Sequence, residues 1–241
     1  YYIDQTNTLN KFYSPEPTST GLNIPLLVSN GYLFFKPDIY RVSGQPGQAA
    51  LNSVMAGVDY LSTLEYVDTS KMAISGHSFG GYETNYILVN SNKFKAALVG
   101  AGPSNIIQGY NETWEMGESK QDYLRNGAYV MERSLEDDKE GYIRNSPILF
   151  TDQISTPILL LHNEKDNAVP VTQSLNLFIQ LRSLQKHAWL LQYKDETHAL
   201  VIERNQLDFQ DKVKSYFDYY LKGQIMPPWM INHINPGILS N

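Results

Sequence analysis

The residues best suited to covalent chemistry lie in a short glycine-rich stretch, Gly-His-Ser-Phe-Gly-Gly over 76–81. A predicted strand precedes this stretch and a predicted helix follows it. A serine flanked by glycines at such a strand-to-helix turn is typical of a nucleophile elbow. The turn is so sharp that side chains two residues before and after the serine would collide, which explains Gly76 and Gly80. The sequence therefore predicts that Ser78 is a nucleophile.

A serine hydroxyl is a weak nucleophile, so this prediction requires a base and a carboxylate that orients the base. In sheets that carry an elbow, the acid and then the histidine follow the serine along the chain, each just after a late strand. Asp166 follows a predicted strand over 158–161, and Glu164 is a competing acid on the same loop. Of the five histidines, only His198 falls at the carboxyl end of the last predicted strand. Position alone therefore predicts His198 as the base and leaves two acids open.

Stabilisation of the oxyanion would come from the start of the helix after the serine. The backbone N–H of Phe79 opens that helix, where peptide dipoles favour negative charge. We therefore expect Phe79 to supply one oxyanion donor.

The pattern of apolar residues predicts the elements that position these groups. Short apolar runs alternate with segments that carry apolar residues at helical spacing. The sequence predicts strands over 31–35, 71–75, 96–100, 158–161 and 188–193, and helices over 48–64, 81–89, 171–185 and 206–221. It also predicts loops over 4–25 and from 223 onward, and an irregular segment over 102–150 with one helix over 119–133. This alternation implies a mostly parallel sheet with helices on both faces.

The composition restricts the classes of function. Of the 241 residues, 42% are hydrophobic and 18% are charged, which is enough apolar material for a buried core. The formal net charge is −6 without a basic cluster, so we do not expect nucleic-acid binding. The absence of cysteine excludes disulfides and a thiolate nucleophile. No apolar run approaches the roughly 20 residues of a membrane helix, and no metal or nucleotide motif is present. We therefore expect a soluble protein without membrane association, metal or other cofactor.

Three segments together resemble the catalytic domain of the prolyl oligopeptidase family of serine peptidases, which has an α/β-hydrolase fold. The segments are GHSFGGY at 76–82, HNEKDNAVP at 162–170 and DETHAL at 195–200. The family has a Gly-x-Ser-x-Gly-Gly-Tyr elbow, a His-Gly-x-x-Asp-x-x-Val-Pro acid loop, and a histidine preceded by acidic residues. The resemblance runs from about residue 31 to residue 221 and departs from the family pattern at Asn163, where the family usually has glycine.

The resemblance implies specific roles for residues of this chain. It implies a catalytic triad of Ser78, Asp166 and His198, and so favours Asp166 over Glu164. In the family a tyrosine after an earlier strand supplies the second oxyanion donor, and Tyr2 or Tyr1 is the candidate at a matching distance. The family's apolar pocket for a proline ring implies a substrate site near the elbow, formed here by Tyr82, Pro103, Ile106, Tyr110 and Val169, with Trp114 a weaker candidate.

The resemblance also bears on domain organisation. The chain begins at Tyr1 in a stretch that reads as the end of a strand. We expect residues 1–241 to form one α/β-hydrolase catalytic domain, taken from the C-terminal part of a longer chain, with early strands of the fold lying before its start.

Three functions are compatible with these residues. The favoured one is a peptidase that cleaves short, proline-containing peptides through an acyl-enzyme. The alternatives are a carboxylesterase that acts on acyl or aryl esters, since the same triad serves both, and a non-catalytic hydrolase-like binding module. An intact Ser, Asp and His argues against the third, since a binding module does not need them.

Overall fold

Four parallel strands form the centre of the structure, a computed structural model that describes residues 12–231. The strands are β1 (Ala73–His77), β2 (Ala96–Gly100), β3 (Ile158–Leu161) and β4 (Ala188–Leu191). They pair in chain order, and each neighbouring pair is parallel. The pairing aligns the last residues of all four strands in one row, because His77 pairs with Gly100, Gly100 with Leu161, and Leu161 with Leu191. The segments that follow the strands therefore start at the same edge of the sheet.

Nine α-helices accompany the strands within residues 12–231. They are α1 (Ile24–Ser29), α2 (Pro46–Leu61), α3 (Phe79–Asn90), α4 (Ile106–Tyr110), α5 (Gln121–Asn126), α6 (Lys139–Arg144), α7 (Thr172–Ser183), α8 (Glu203–Lys222) and α9 (Pro228–Ile231). Two 3-10 helices lie at Thr69–Lys71 and Pro147–Gln153. Among these helices, none combines the length and the apolar composition that crossing a bilayer requires.

Helices cover both faces of the sheet because successive strand residues point to opposite sides. On one face, Ala97 and Val99 of β2 pack with the buried Leu88 and Val89 of α3 and Leu177 and Leu181 of α7. On the other face, Leu98 and Trp189 pack with Phe209, Val213, Tyr216, Phe217 and Leu221 of α8. This spacing gives α8 one apolar stripe, as expected for a helix on the surface of a sheet. The predicted architecture of a parallel sheet between two helical layers is confirmed.

Helix α3 differs from α8 because every residue from Phe79 to Val89 is buried. It follows the glycine-rich stretch directly and lies against β1 and α2. Its first turn passes so close to the chain after β2 that a Cβ on Gly81 would lie 2.6 Å from the Gly102 Cα and 2.8 Å from the Gly100 carbonyl oxygen. Glycine at position 81 therefore sets how deeply the start of α3 sits over the sheet.

Most predicted elements are observed, and β2 and β3 have the predicted bounds. The predicted buried strand over 31–35 is wrong. Residues 32–40 have no regular secondary structure, and Leu33 and Phe35 are exposed. A strand needs a hydrogen-bonded neighbour, and within residues 12–231 no strand pairs with this segment. Apolar composition alone was therefore an insufficient signal.

The other predicted strands and helices shift by a few residues at their ends, and three further segments differ more. The predicted helix over 119–133 is reduced to α5, because the chain leaves helical geometry at Gly127 and has positive φ at Val130 and Glu132. The predicted loop over 4–25 ends in α1, whose first turn is capped by the Asn23 side chain accepting from the Leu26 N–H. The C-terminal segment from 223 contains α9. The first two differences arise from local backbone geometry and capping.

We expect Gly81→Ala to lower the free energy of unfolding. The new methyl group would lie against the backbone of Gly100 and Gly102, which cannot move away without shifting the chain after β2. This overpacking should cost about 1–3 kcal/mol. This cost exceeds the roughly 0.5–1 kcal/mol that alanine gains over glycine in a helix. Chemical denaturation measures the difference. Gly109→Ala in α4 is the control, since its Cβ would meet only the Leu124 Cδ2 at 3.9 Å. Equal stability of the two variants would contradict the close approach.

Candidate active site

Ser78 lies at the tip of the turn between β1 and α3, in a strained backbone conformation. Its φ is 58° and its ψ is −123°, a region that residues other than glycine rarely adopt. The turn is held by hydrogen bonds from the Ser78 N–H to the Gly100 carbonyl (2.8 Å) and from the Tyr82 N–H to the Ser78 carbonyl (3.1 Å). A Cβ on Gly76 would lie 2.0 Å from the Gly80 oxygen, so only glycine is accommodated there. This is the geometry expected of a nucleophile elbow.

The loop after β3 carries Asp166, whose side chain is fully buried. One carboxylate oxygen, Oδ1, accepts from the Ala168 and Val169 N–H groups, both at 2.8 Å. The other, Oδ2, accepts from His198 Nδ1 at 2.7 Å and lies 3.2 Å from His162 Nε2. Burial alone would raise the pKa of Asp166, but the hydrogen bonds from both histidines and from Val169 outweigh it and hold the pKa well below its usual range. Asp166 is therefore an ionised acceptor that holds two imidazoles.

His198 lies on the loop after β4, and its side chain is 24% exposed. Because the ionised Asp166 can only accept, Nδ1 of His198 carries the hydrogen. The other ring nitrogen, Nε2, is then left as a proton acceptor. This tautomer is the one required of a general base.

A buried carboxylate fixes the far end of this loop. Glu196 is fully buried and accepts from the N–H groups of Val201 (2.7 Å) and Ile202 (3.0 Å) and from the Asn205 side chain (2.8 Å). These partners lie at the start of α8. The acidic residue before the histidine therefore anchors the histidine loop to that helix.

His162 supports Asp166 from inside the protein and is fully buried. Its Nε2 lies 2.9 Å from the Val169 carbonyl and its Nδ1 lies 2.7 Å from the Ser174 hydroxyl. A carbonyl can only accept, so Nε2 carries the hydrogen and Nδ1 accepts from Ser174. Both ring nitrogens of His162 are engaged, which suits a supporting role.

His77 separates His198 from the interior, next to Ser78 in the chain. Its ring packs edge-on against the His198 ring, with centroids 4.8 Å apart. Neither ring nitrogen makes a hydrogen bond of standard geometry within the described part of the chain, although the His198 backbone faces the ring. The pKa of His77 is lowered to about 4, mainly because the ring is buried and secondly because a charged His198 places positive potential beside it. His77 is therefore a neutral packing partner.

The three predicted catalytic residues are not all directly bonded. Asp166 and His198 share a hydrogen bond, and His198 contacts His77, the neighbour of Ser78. Within residues 12–231 there is no hydrogen bond between the Ser78 hydroxyl and His198. Such contacts are often long without substrate and tighten in the complex. Glu164, the competing acid, is exposed.

A cavity of about 130 Å³ opens beside Ser78. Of the predicted substrate-binding residues, Pro103, Ile106 and Val169 line it, as does Trp114. Phe79, the predicted backbone donor to the oxyanion, also lines the cavity. The volume is close to that of an apolar cavity of about 150 Å³ that holds benzene. The cavity can therefore take one side chain of ring size.

Tyr82 and Tyr110 lie behind the cavity wall, which differs from the predicted direct contact with substrate. Tyr82 is fully buried, and its hydroxyl donates to the Asn145 side-chain oxygen at 3.0 Å. Tyr110 is 3% exposed and packs edge-on against Tyr142. Both sit in an aromatic cluster that supports the lining residues Phe79 and Tyr129. Their positions in the sequence, at the elbow for Tyr82 and after β2 for Tyr110, did not show whether they line the cavity or pack behind it. The oxyanion candidates Tyr1 and Tyr2 lie outside the described residues.

A polar cluster at the cavity wall was not predicted. Lys120 is buried and donates to the Ala168 carbonyl at 3.0 Å, with Glu112 3.5 Å away and the Trp114 ring beneath it at 4.9 Å. The Gln173 side chain lies 3.4 Å from the same carboxylate. These residues come from two segments, 112–120 and 168–173, that are far apart in the sequence, so no local pattern signals the cluster. Within residues 12–231, no group of three or more His, Asp or Glu side chains is arranged to hold a metal ion.

The buried neutral His77 predicts a pH dependence of stability. The pKa of His77 is lowered from an ordinary value near 6.5 to about 4, so the unfolded chain binds a proton first as the pH falls. The associated stability is present above pH 6.5 and is lost as the pH falls towards 4. Between these pH values we expect the free energy of unfolding of the wild type to fall by up to about 3 kcal/mol more than that of His77→Leu. Chemical denaturation at pH 7 and pH 4.5 tests this. Parallel losses in both proteins would exclude a neutral buried His77.

Comparison with known proteins gives a consistent family assignment. The sequence model of the prolyl oligopeptidase family matches residues 19–224. Among curated proteins, the uncharacterised peptidase YuxL of Bacillus subtilis is 28% identical over 76% of this chain, and dipeptidyl-peptidase 5 of Porphyromonas endodontalis is 25% identical over 90%. The chain spans 27% and 32% of the lengths of these two relatives.

Solved structures agree on the fold. Acylaminoacyl peptidase of Pyrococcus horikoshii superposes with a TM-score of 0.66 and 25% identity, over 78% of this chain and 30% of that protein. The predicted α/β-hydrolase fold, with a parallel sheet between helices, is confirmed. The family model covers residues 19–224, which is most of this chain. The chain therefore belongs to the prolyl oligopeptidase family.

Proposed function

We propose that this chain carries the catalytic centre of a serine peptidase, with Ser78 as nucleophile, His198 as base and Asp166 as the orienting acid. The observation that carries the proposal is the 2.7 Å hydrogen bond from His198 Nδ1 to the buried Asp166 carboxylate. It leaves the other imidazole nitrogen as an acceptor, on a ring that packs against His77, the residue before Ser78. Ser78 itself is held at an elbow with a φ of 58°. Neither an orienting carboxylate nor backbone strain at a serine is required of a binding module.

The first half-reaction follows from these positions. His198 Nε2 takes the proton from the Ser78 hydroxyl as the oxygen attacks the substrate carbonyl carbon. The developing oxyanion lies at the start of α3, where the Phe79 N–H is the proposed donor. Asp166 stabilises the imidazolium that forms. The C–N bond then breaks, the leaving amine takes the proton from Nε2, and an acyl group remains on Ser78.

The second half-reaction repeats these steps with water. Water gives its proton to His198 Nε2 and attacks the acyl carbon. The tetrahedral intermediate collapses, Ser78 recovers its proton, and the carboxylic acid product leaves. No metal or other cofactor is required in either half, since every proton moves between Ser78, His198, water and the leaving group.

The cavity supports a preference for an apolar residue or proline on the acyl side of the cleaved bond. Its wall beside Ser78 includes Pro103, Ile106 and Val169, and Lys120 is neutralised by Glu112. An apolar side chain or a proline ring would bury its surface there without leaving a charge unpaired. We therefore propose short peptides with such a residue as substrates. The relatives named dipeptidyl-peptidase and acylaminoacyl peptidase support a peptide substrate.

A panel of three probes tests the proposal. A fluorophosphonate, aminoacyl-prolyl nitroanilides and short aryl esters are each offered to the wild type and to Ser78→Ala. We expect labelling and nitroanilide turnover by the wild type, and loss of both in the variant, because the serine oxygen forms the covalent bond. Turnover of the aryl esters alone would show that the protein is a carboxylesterase and not a peptidase. A wild type that is not labelled and turns over none of the substrates would support a non-catalytic binding module.

Two acidic residues on one loop provide a matched comparison. Asp166→Asn should lower kcat by about 10³–10⁴-fold, because an amide favours the wrong tautomer of His198. Glu164→Gln should leave kcat within about twofold, since Glu164 is exposed and has no role in holding the imidazole. Steady-state kinetics with the same nitroanilide measures both. A large loss in Glu164→Gln with little change in Asp166→Asn would reverse the assignment of the acid.

A further inference from the structure

The loop that carries Asp166 is joined to the loop that carries His198 by a second side chain, Asn163. Its amide nitrogen donates to the Thr197 carbonyl at 2.9 Å. Its amide oxygen accepts from the Tyr193 N–H at 3.0 Å. Both partners lie on the histidine loop, one of them directly before His198. Asn163 is 2% exposed, so water competes little for these bonds.

The backbone at position 163 does not itself require this residue. Asn163 is not in the left-handed region of φ, and its carbonyl accepts from the Asp166 N–H at 3.3 Å, a contact that any residue could make. The acid-loop motif identified in the sequence usually has glycine here. What asparagine adds is its side-chain amide, and both polar atoms of that amide are directed at the histidine loop.

Without Asn163, the direct side-chain link between the tips of these two loops would be weak. The Asp166–His198 hydrogen bond is a single contact about which the imidazole can tilt. An exposed ion pair between Lys165 and Asp195 also spans the loops, and such pairs contribute little rigidity. Asn163 adds two buried bonds to the backbone on either side of the loop's turn. Together with the Asp166 bond they fix the loop at three points.

We propose that Asn163 is a positioning residue that holds the His198 loop against the Asp166 loop and so sets the orientation of the imidazole. This inference rests on the proposed function for its kinetic consequence, because His198 must meet both Asp166 and the Ser78 hydroxyl. A displacement of about 1 Å in a catalytic group can cost roughly 100-fold in rate. Asn163 does not line the cavity, so its loss should lower kcat and leave KM nearly unchanged.

The main test replaces Asn163 with glycine, the usual residue of the motif, and with alanine in case glycine loosens the fold. Asn167→Gly is the control, since Asn167 is exposed on the same loop and, among residues 12–231, its side chain bonds only to Glu115. We expect kcat to fall about 10- to 100-fold in both Asn163 variants, with KM within about threefold. The control should keep its kcat. Wild-type kcat in a folded Asn163→Gly protein would overturn the proposal.

A double-mutant cycle separates positioning from general destabilisation. If Asn163 acts by setting the imidazole against Asp166, Asn163→Gly should have less than about a twofold effect on kcat in an Asp166→Asn background. A full additional loss in that background would show that Asn163 acts independently of the acid, and the positioning role would be wrong.

Two readouts need no substrate and remain informative if the peptidase proposal fails. Amide hydrogen exchange of Tyr193 should accelerate in Asn163→Gly and Asn163→Ala, because its acceptor is lost. The His198 Nδ1–H proton resonance, which reports the bond to Asp166, should shift or broaden in the same variants and stay unchanged in Asn167→Gly. A wild type without turnover that shows both changes would contradict the proposed function alone. Unchanged exchange and an unchanged resonance would overturn the role of Asn163.

Discussion

In-register pairing of the four parallel strands is the constraint on which the site depends. The last residues of β1 to β4 lie in one row, so the elbow, the acid loop and the histidine loop all start at the same edge of the sheet. Each loop then needs only a short path to the site. A shift of one residue in any pairing would move a loop by about 3.3 Å, which exceeds the tolerance of a hydrogen bond. The helices on both faces stabilise that register.

Charge around the histidines of the site is organised by the buried carboxylate of Asp166. Asp166 accepts three hydrogen bonds, two from backbone N–H groups and one from His198, and His162 Nε2 lies 3.2 Å from the same carboxylate. The three neighbouring histidines differ in what their surroundings allow. His162 has both nitrogens engaged inside the protein, and burial keeps His77 neutral. The His198 side chain is 24% exposed and only its Nδ1 is engaged by Asp166, so it is the imidazole with a nitrogen available to substrate.

The sequence was sufficient where a local pattern determines a local structure. The glycines around Ser78 predicted the elbow, and apolar runs with flanking turns gave the bounds of β2 and β3. It was insufficient where contacts join distant segments. Residues 31–35 have the composition of a buried strand but no described neighbour, and Tyr82 is near the elbow in the chain yet lies behind the cavity wall. The contact of Lys120 with the Ala168 carbonyl forms only when the segment before α5 meets the acid loop.

A crystal structure after inactivation with a fluorophosphonate tests most directly whether Ser78, Asp166 and His198 converge. We expect a phosphorus bond to the Ser78 hydroxyl oxygen, with His198 Nε2 within about 3.5 Å of that oxygen and Nδ1 still bonded to Asp166. Modification of a different residue, or an imidazole that stays beyond hydrogen-bonding distance of the modified serine, would contradict it.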